Sequence, residues 1–408
     1  MKKKSVLILA KTEYARTPYD EWLQDSGVIP IVVTSPKFYE EYACHITHCY
    51  SLSNYDEDDD SLFELVEKIY KTTPFDHVFC RAEVDIIRAA YIRFRYGVLG
   101  QSTESALCYR DKYLMKERLS GQNIKVPSYR KVDSAQDIRA FCRQSGFPCV
   151  IKPRLASGSS GVVIIKSFED LELCLKYGEN QFSGMLAETY VDGEMFHVDG
   201  LIVDGELKFI QPFKYINDCL SYRSNMYIGN IPLGNHDRLY SLLVDTTKKI
   251  ISFMPETKNF AFHCELWVTK QQDIIFCEIA SRTGGGMISF LIEDMSGLNI
   301  DRAWLLAECE VNAVVYPDYH KDFQRFGCVC IPPANGKLLS LPSVYPSAVR
   351  RTHLTGKSGV TYSGGEKSGL YLIGHVVEAD DPASVLTIFS ECYENIHDGR
   401  HWEIVSND

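Results

Sequence analysis

Short apolar runs alternate with helix-like stretches over the first hundred residues. Strand-length runs occur at residues 5–11 (SVLILAK), 29–36 (IPIVVTSP) and 75–80 (FDHVFC), with helical patterns at 17–27 and 83–97. Strands separated by helices predict βαβ units and a parallel sheet. The segment has no G-x-G-x-x-G turn, so a dinucleotide site is not expected in it.

From residue 104 the pattern changes. One helix is predicted over 104–123, where Gly121 and the turn at Pro127 stop it, and a short helix is predicted to begin at Ser167. Apolar strand patterns then dominate the chain up to residues 260–270 and 272–281, and a last α/β segment follows after residue 306. These shifts divide the chain into 1–104, 105–305 and 306–408.

The amino-acid composition argues against several classes of protein. Hydrophobic residues make up 45% of the 408 residues, which excludes a disordered chain. The 43 Lys and Arg against 54 Asp and Glu give a net charge of −11, which argues against a nucleic-acid partner. The 14 scattered Cys, and the absence of a leader-like segment or a long apolar run, predict a cytoplasmic protein without a membrane partner.

A lysine followed by a glycine-rich loop is the first candidate for chemistry. In GFPCVIKPRLASGSSGVVII, Lys152 lies near the end of a strand, where its ammonium could bind phosphate oxygens. The loop amides that could close over the phosphates are those of Ser157, Gly158, Ser159, Ser160 and Gly161. A β-hairpin loop with an exposed lysine explains the same pattern equally well.

Two carboxylates form the second candidate. Glu265 and Glu278 are thirteen residues apart on two strands joined by the turn KQQD, so they can face each other as oxygen ligands of Mg²⁺. Arg282 follows beside three glycines and could contact an anion. A surface salt bridge between these carboxylates and Arg282 is the alternative, but a glutamate within IIFCEIA favours the metal interpretation, because uncompensated burial is costly.

Three further positions accompany these clusters. His263 shares the strand face of Glu265 and could touch phosphates or a tetrahedral intermediate, although a core histidine is an equal alternative. Arg81 and Glu83 follow the strand at 75–80, at the edge where open α/β sheets bind ligands, and could hold a substrate or form a salt bridge. In AETYVDGE, the extended backbone could bind a purine edge.

Taken in order, these motifs resemble the ATP-grasp superfamily over most of the chain. The resemblance implies an ATP-grasp fold with a Rossmann-like N-terminal α/β domain (1–104), an ATP-grasp core (105–305) with a mobile lid at about 122–187, and a C-terminal α+β segment (306–408) that completes the substrate side. It assigns phosphate contacts to Lys112, Lys152 and the SGSSG lid, and contact with the transferred phosphate to Arg282. Adenine contacts are assigned to Glu188 and the main chain of Tyr190 and Val191, and the ribose contact is assigned to Glu194. The Mg²⁺ ligands it implies are Glu265 and Glu278.

Within the superfamily, RAEVDIIRAAYIRFRYG and GHVVEADDPASV are similar to segments of L-amino acid ligases. That resemblance implies that ATP activates a carboxylate as an acyl phosphate, which an amine then attacks to give a dipeptide, ADP and phosphate. The expected cofactors are ATP and one or two Mg²⁺ ions, for which Mn²⁺ can substitute. Many members have Asn where this chain has Ala280, so a second metal would depend more on Glu278.

The expected partners are small carboxylate and amine substrates, with amino acids foremost, and a second copy of the chain, because related ligases are often dimers. Two other functions stay open. One is a ligase or carboxylase that acts on another small carboxylate, and the other is a non-catalytic nucleotide-binding protein.

Overall fold

The N-terminal unit is built on a parallel sheet. The computed structural model describes residues 3–177, 182–318, 321–365 and 367–403. The sheet has the order β3-β2-β1-β4, and each neighbouring pair is parallel. Its strands are β1 (Ser5–Ala10), β2 (Ile29–Thr34), β3 (His48–Ser51) and β4 (His77–Cys80), and its helices are α1 (Tyr19–Leu23), α2 (Pro36–Ala43), α3 (Asp59–Thr72) and α4 (Asp85–Tyr96). The predicted parallel sheet is confirmed.

The single helix predicted over 104–123 is wrong. Two helices occupy the region, α5 (Thr103–Cys108) and α6 (Lys112–Leu119). Asp111 begins α6, because its side chain accepts hydrogen bonds from the backbone N–H groups of Tyr113 (2.9 Å) and Leu114 (3.4 Å). The second helix therefore starts at Lys112 and holds that residue in its first turn.

A small antiparallel sheet follows, with the order β5-β8-β6-β7. Its elements are β5 (Tyr129–Val132), α7 (Ala135–Ser145), β6 (Cys149–Pro153), β7 (Val163–Ile165), α8 (Phe168–Tyr177) and β8 (Met185–Thr189). Ile138, Phe141, Ile151 and Leu171 pack into a core of its own. This unit overlaps the predicted lid, and the loop 154–162 connects β6 to β7.

The largest sheet is antiparallel, with the order β13-β12-β9-β10-β11-β14-β18-β16. Its strands are β9 (Gly193–Val203), β10 (Glu206–Ile216), β11 (Ile228–Pro232), β12 (Phe260–Thr269), β13 (Ile274–Ala280), β14 (Phe326–Ile331), β16 (Val349–Leu354) and β18 (Ile373–Glu378). Ile228 of β11 pairs with Cys330 of β14, so this sheet runs across the predicted boundary at residue 305. The domain limits themselves stay a prediction.

The remaining elements cover the faces of this sheet or extend it. They are α9 (Arg238–Phe253), α10 (Ile288–Ser296), α11 (Ile300–Glu308), α12 (Pro382–His397) and the small sheet of β15 (Asn335–Leu338), β17 (Thr361–Ser363) and β19 (Trp402–Glu403). Trp304 of α11 packs edge-on against Phe79 of β4, with ring centroids 4.9 Å apart, and so joins the large sheet to the N-terminal unit. Among the described residues, no helix has both the length and the apolar character needed to cross a bilayer.

Candidate active site

The loop 154–162, called the lid loop here after its predicted role, borders a cavity of about 650 Å³. The large sheet and the carboxyl end of β4 form its other sides. All of the residues predicted for the site line it except Gly161, and Arg81 and Glu83 line it as well. Its volume lies within the range of small-molecule sites. Side chains that are far apart in the sequence are thus brought to a single space.

Two glycines of the lid loop have left-handed backbone conformations. Gly158 and Gly161 have φ of +62° and +70°, and Ser159 shares this left-handed conformation with φ of +58°. A Cβ on Gly161 would lie 2.8 Å from Cγ of Pro153. Gly161 lets the loop turn closely over Pro153 and is not among the residues that line the cavity, and its predicted contact with phosphate stays a prediction.

Two buried lysines share one carboxylate. Glu188 of β8 lies between Lys116 Nζ, 2.7 Å from Oε1, and Lys152 Nζ, 2.8 Å from Oε2. Lys116 also donates to the Cys277 carbonyl oxygen at 2.7 Å. Burial alone would raise the pKa of Glu188, but the two ammonium groups hold it below its ordinary value. Glu188 is thus the counter-ion of Lys152, and its predicted contact with adenine stays a prediction.

Lys112 connects the lid loop to the metal candidates. Its Nζ donates to the Ala156 carbonyl oxygen at 2.6 Å and lies 3.2 Å from Glu278 Oε2. Burial would raise the pKa of Glu278, but Lys112 and Lys152 lower it to about 2. Glu278 is therefore a carboxylate at neutral pH, with Lys112 beside it.

Glu265 and Glu278 are direct partners across β12 and β13. The pairing shifts after Glu265, so that Cys277 is the extra residue of a β-bulge. Glu265, Cys277 and Glu278 form a cluster in which one ligand atom of each residue lies within 4.8 Å of the others. Burial raises the pKa of the Cys277 thiol far above its usual range, so the thiol stays neutral. Two facing carboxylates are a donor set that suits Mg²⁺.

Arg282 forms an ion pair, but not with the carboxylates considered from the sequence. Its Nε contacts Glu83 Oε2, and Arg110 contacts the other oxygen of the same carboxylate. Burial would raise the pKa of Glu83, but the two guanidinium groups keep it low. The alternative of a salt bridge between Arg282 and Glu265 or Glu278 is therefore wrong, and a positive charge remains in excess beside the metal candidates.

His263 belongs to a buried polar chain across the two neighbouring strands β12 and β9. Its Nδ1 is 3.0 Å from Asp199 Oδ1, and His197 Nδ1 is 2.5 Å from the other Asp199 oxygen. Burial would lower the pKa of His263, whereas Asp199 and Glu265 raise it to about 10. His263 Nε2 lies 3.4 Å from Glu265 Oε1. The histidine is thus both buried and at the wall of the cavity.

The predicted adenine and ribose residues line the lid side of the cavity. Glu194 is exposed and pairs with Lys214 at 2.6 Å. The Tyr190 N–H donates to the Pro148 carbonyl oxygen at 3.1 Å, so any contact of Tyr190 with a base would use its carbonyl group. The roles of these two residues and of Val191 stay predictions.

Sequence reasoning missed several polar residues of the site. Lys116 could have been found, because it lies four residues after Lys112 and so shares its helix face. Arg110 and Asp199 carry no comparable signal, since their roles depend on contacts between distant segments.

Comparison with known proteins agrees with this geometry. Residues 145–290 match the family described as "ATP-grasp domain". This segment, 146 of the 408 residues, is thus similar to ATP-grasp domains. Its fold also agrees with that of the crystal structure of L-amino acid ligase from Bacillus licheniformis, with a TM-score of 0.75 and 16% identity over 96% of this chain and 97% of that one. The predicted ATP-grasp fold and the mixed α/β class are thereby confirmed.

Two further known proteins are similar to this chain, one in sequence and one in fold. It is 32% identical to the L-arginine-specific L-amino acid ligase of Bacillus subtilis over 260 aligned residues. The aligned region is 62% of this chain and 61% of that protein. The chain therefore matches about three fifths of the length of this relative. N5-carboxyaminoimidazole synthase from Aspergillus clavatus, crystallised with ADP and 5-aminoimidazole ribonucleotide, has a TM-score of 0.73 and 14% identity over 97% of this chain and 99% of that one.

Proposed function

We propose that this chain is an ATP-dependent carboxylate–amine ligase that joins two amino acids. The observation that carries the proposal is that Lys112, Lys152, Glu265, Glu278 and Arg282 all line one cavity. An anionic carboxylate must approach an anionic triphosphate in such a reaction, and cations gathered at one point offset their repulsion.

The residues divide the work by position. Lys112 and Lys152 would bind phosphate oxygens under the lid loop, and Arg282 would stabilise the charge on the transferred phosphoryl group. The carboxylate oxygen of the first substrate would attack the γ-phosphorus, which gives an acyl phosphate and ADP. The amine of the second substrate would then attack the acyl carbon, lose a proton and displace phosphate. A cavity covered by the loop protects the acyl phosphate from water.

Glu265 and Glu278 would hold Mg²⁺, and their two facing carboxylates fit that ion. A bound Mg²⁺ would supply charge neutralisation at the phosphates. Lys112 lies 3.2 Å from Glu278 and would be freed for a phosphate oxygen if the carboxylate turned towards a cation. The proposal includes one or two Mg²⁺ ions, and the second would depend more on Glu278, because Ala280 stands where many members of the superfamily have Asn.

The choice of amino acids as substrates is supported by the 32% identity to an L-amino acid ligase. A cytoplasmic location is part of the proposal, and it is supported by the free state of all fourteen cysteine thiols. A homodimer is proposed only from the sequence resemblance.

Phosphate release tests the reaction. The purified protein is incubated with ATP, Mg²⁺ and pairs of the twenty L-amino acids, and the products are identified by mass spectrometry. We expect phosphate release that depends on a particular pair, together with the mass of a dipeptide. If no pair stimulates phosphate release, the dipeptide ligase is refuted, and release with bicarbonate or another small carboxylate would favour the carboxylase alternative.

Glu278→Gln tests the metal assignment. The amide keeps the shape of the side chain but loses the charge that binds Mg²⁺, so we expect loss of at least about 100-fold in kcat with an unchanged far-UV spectrum. Glu391→Gln, an exposed glutamate of α12, is the matched control and should retain full activity. Near-normal turnover by Glu278→Gln would refute the assignment.

A further inference from the structure

One guanidinium group in the lining of the cavity, that of Arg16, has no carboxylate partner among the described residues. Arg16 follows β1, on the carboxyl edge of the parallel sheet, where open α/β sheets bind ligands. Within residues 3–177, 182–318, 321–365 and 367–403, no carboxylate oxygen lies within 4 Å of it. Its Nε is buried and has no hydrogen-bond partner.

The contacts of Arg16 hold it in place without neutralising it. One terminal nitrogen donates to the Gly286 carbonyl oxygen at 2.7 Å. The guanidinium carbon lies 4.8 Å from the centre of the Phe290 ring. The Gly286 carbonyl group, the Phe290 ring and the Tyr371 phenol, which also hydrogen-bonds to Arg16, orient the planar group, and Nε is left as a donor for an anion.

The charged groups nearest to Arg16 are already engaged. Asp301 pairs with Arg81 at 2.8 Å and accepts a hydrogen bond from Thr283 at 2.7 Å. Glu13 accepts from His353 Nε2 at 2.7 Å and acts on Arg16 from beyond ion-pair distance. Arg81 adds a second positive charge, and the Tyr371 phenol also faces the group. Because Asp301 and Glu13 have partners of their own, neither of them is a direct counter-ion of Arg16.

We propose that Arg16 binds a second substrate carboxylate, distinct from the carboxylate that ATP activates. The inference rests on the proposed ligase function and specifies its substrate class: one of the two substrates must carry a carboxylate that stays free. Arg282, which the proposed function assigns to the transferred phosphate, pairs with Glu83, whereas Arg16 contacts Gly286 and Phe290. A planar guanidinium binds a carboxylate through two parallel hydrogen bonds.

Two sources could supply this carboxylate. The α-carboxylate of the acceptor amino acid stays free when its amine forms the peptide bond, and an acidic side chain of the donor would also stay free. The chemistry at Arg16 is the same for both, so the test contains one arm for each source.

The acceptor arm compares glycine, L-alanine and L-serine with their carboxamides, and the donor arm compares L-aspartate with L-asparagine and L-glutamate with L-glutamine. The kcat/KM of each is measured for the wild type, Arg16→Gln and Arg16→Lys. We expect the wild type to prefer the carboxylate form in one arm. Arg16→Gln should reduce that preference about 10- to 100-fold, mainly through KM, while the kcat/KM of the uncharged form changes little.

Arg16→Lys keeps the charge but loses the planar fork, so it should retain an intermediate preference for the carboxylate. This variant also keeps the proposal testable if Arg16→Gln does not fold, which circular dichroism would show. Arg238→Gln, an exposed arginine at the start of α9, is the control and should match the wild type.

Equal losses for charged and uncharged forms, or an unchanged preference in Arg16→Gln, would overturn the role of Arg16. The proposed ligase would survive that result, because dipeptide formation by the wild type establishes it separately. Failure of every amino-acid pair in the wild type would instead refute the ligase and, with it, the inference at Arg16.

Discussion

The lysine pair around Glu188 gives a sharp prediction, because the three side chains are almost fully buried. The side-chain exposures of Lys116, Glu188 and Lys152 are 0%, 2% and 7%. Together they carry one net positive charge. Lys116→Met removes that charge, Glu188→Gln raises it to two, and the double variant restores one. The double variant should therefore be less destabilised than the sum of the single variants.

The magnitudes follow from what each change leaves behind. Glu188→Gln leaves two ammonium groups, which lie 2.7 and 2.8 Å from the carboxylate oxygens, without a counter-ion. Breaking a buried pair in this way costs about 3–5 kcal/mol of unfolding free energy. Lys116→Met costs less, about 2–3 kcal/mol, since Lys152 still pairs with Glu188. A coupling of about 1–3 kcal/mol is expected for groups in direct contact.

Urea unfolding of the four proteins without nucleotide, followed by tryptophan fluorescence and circular dichroism, measures this cycle. ATP binding to the same proteins gives a second readout. In Lys116→Met, the whole charge of Glu188 acts on Lys152, so ATP should bind more weakly. Free energies that add within about 0.5 kcal/mol would contradict the reasoning, because they would show that Lys116 and Glu188 do not act as one unit.

Two further predictions concern acid stability and the lid loop. His375 is fully buried, and burial lowers its pKa to about 4. The unfolded chain gains a proton on His375 near pH 6.5, whereas the folded chain gains it only near pH 4. About 2 kcal/mol of unfolding free energy should therefore be lost between pH 7 and pH 5. In urea titrations, His375→Asn should remove this pH dependence of the unfolding free energy, and an unchanged dependence would contradict the assignment. Gly161→Ala would place a Cβ 2.8 Å from Pro153 and should weaken ATP binding severalfold. Gly121→Ala is the control, because Gly121 has a similar φ of +79° but a Cβ there would meet nothing within 4 Å, and this variant should bind ATP normally. Equal effects of the two substitutions would show that backbone strain alone is responsible.

The sequence predicted the elements whose pattern is local. The runs that became β1, β2 and β4 are apolar and bounded by charged or turn residues, and the pairing of Glu265 with Glu278 follows from a short turn between two strands. The break between α5 and α6 was missed, because both halves have helical composition and the Asp111 cap is recognisable only when its bonds to the next turn are seen.

The ion pairs of the site were beyond sequence reasoning for a different reason. Glu83 and Arg282 are 199 residues apart, and Lys152 and Glu188 belong to paired strands separated by the lid loop, β7 and α8. A sequence shows which residues carry charge, but the partner of each charge depends on how the N-terminal unit, the lid and the large sheet meet. The residue types of the site could be predicted, whereas the pairing of Glu188 with two lysines could not.

The pairing pattern explains how a cavity with so many cations can be stable without a ligand. Lys112 is held beside Glu278, Lys152 beside Glu188, and Arg282 beside Glu83. Each pair lowers the cost of burying its members, and each can be exchanged when a phosphate or a divalent cation enters. In the proposed function, binding a triphosphate together with its cation would replace pairs with pairs, whereas either one alone would leave an opposite charge unmatched. Arg16 differs in this respect, since no carboxylate of the described residues pairs with it, and in our proposal its guanidinium would gain a charged partner only when an anionic group of a substrate arrives.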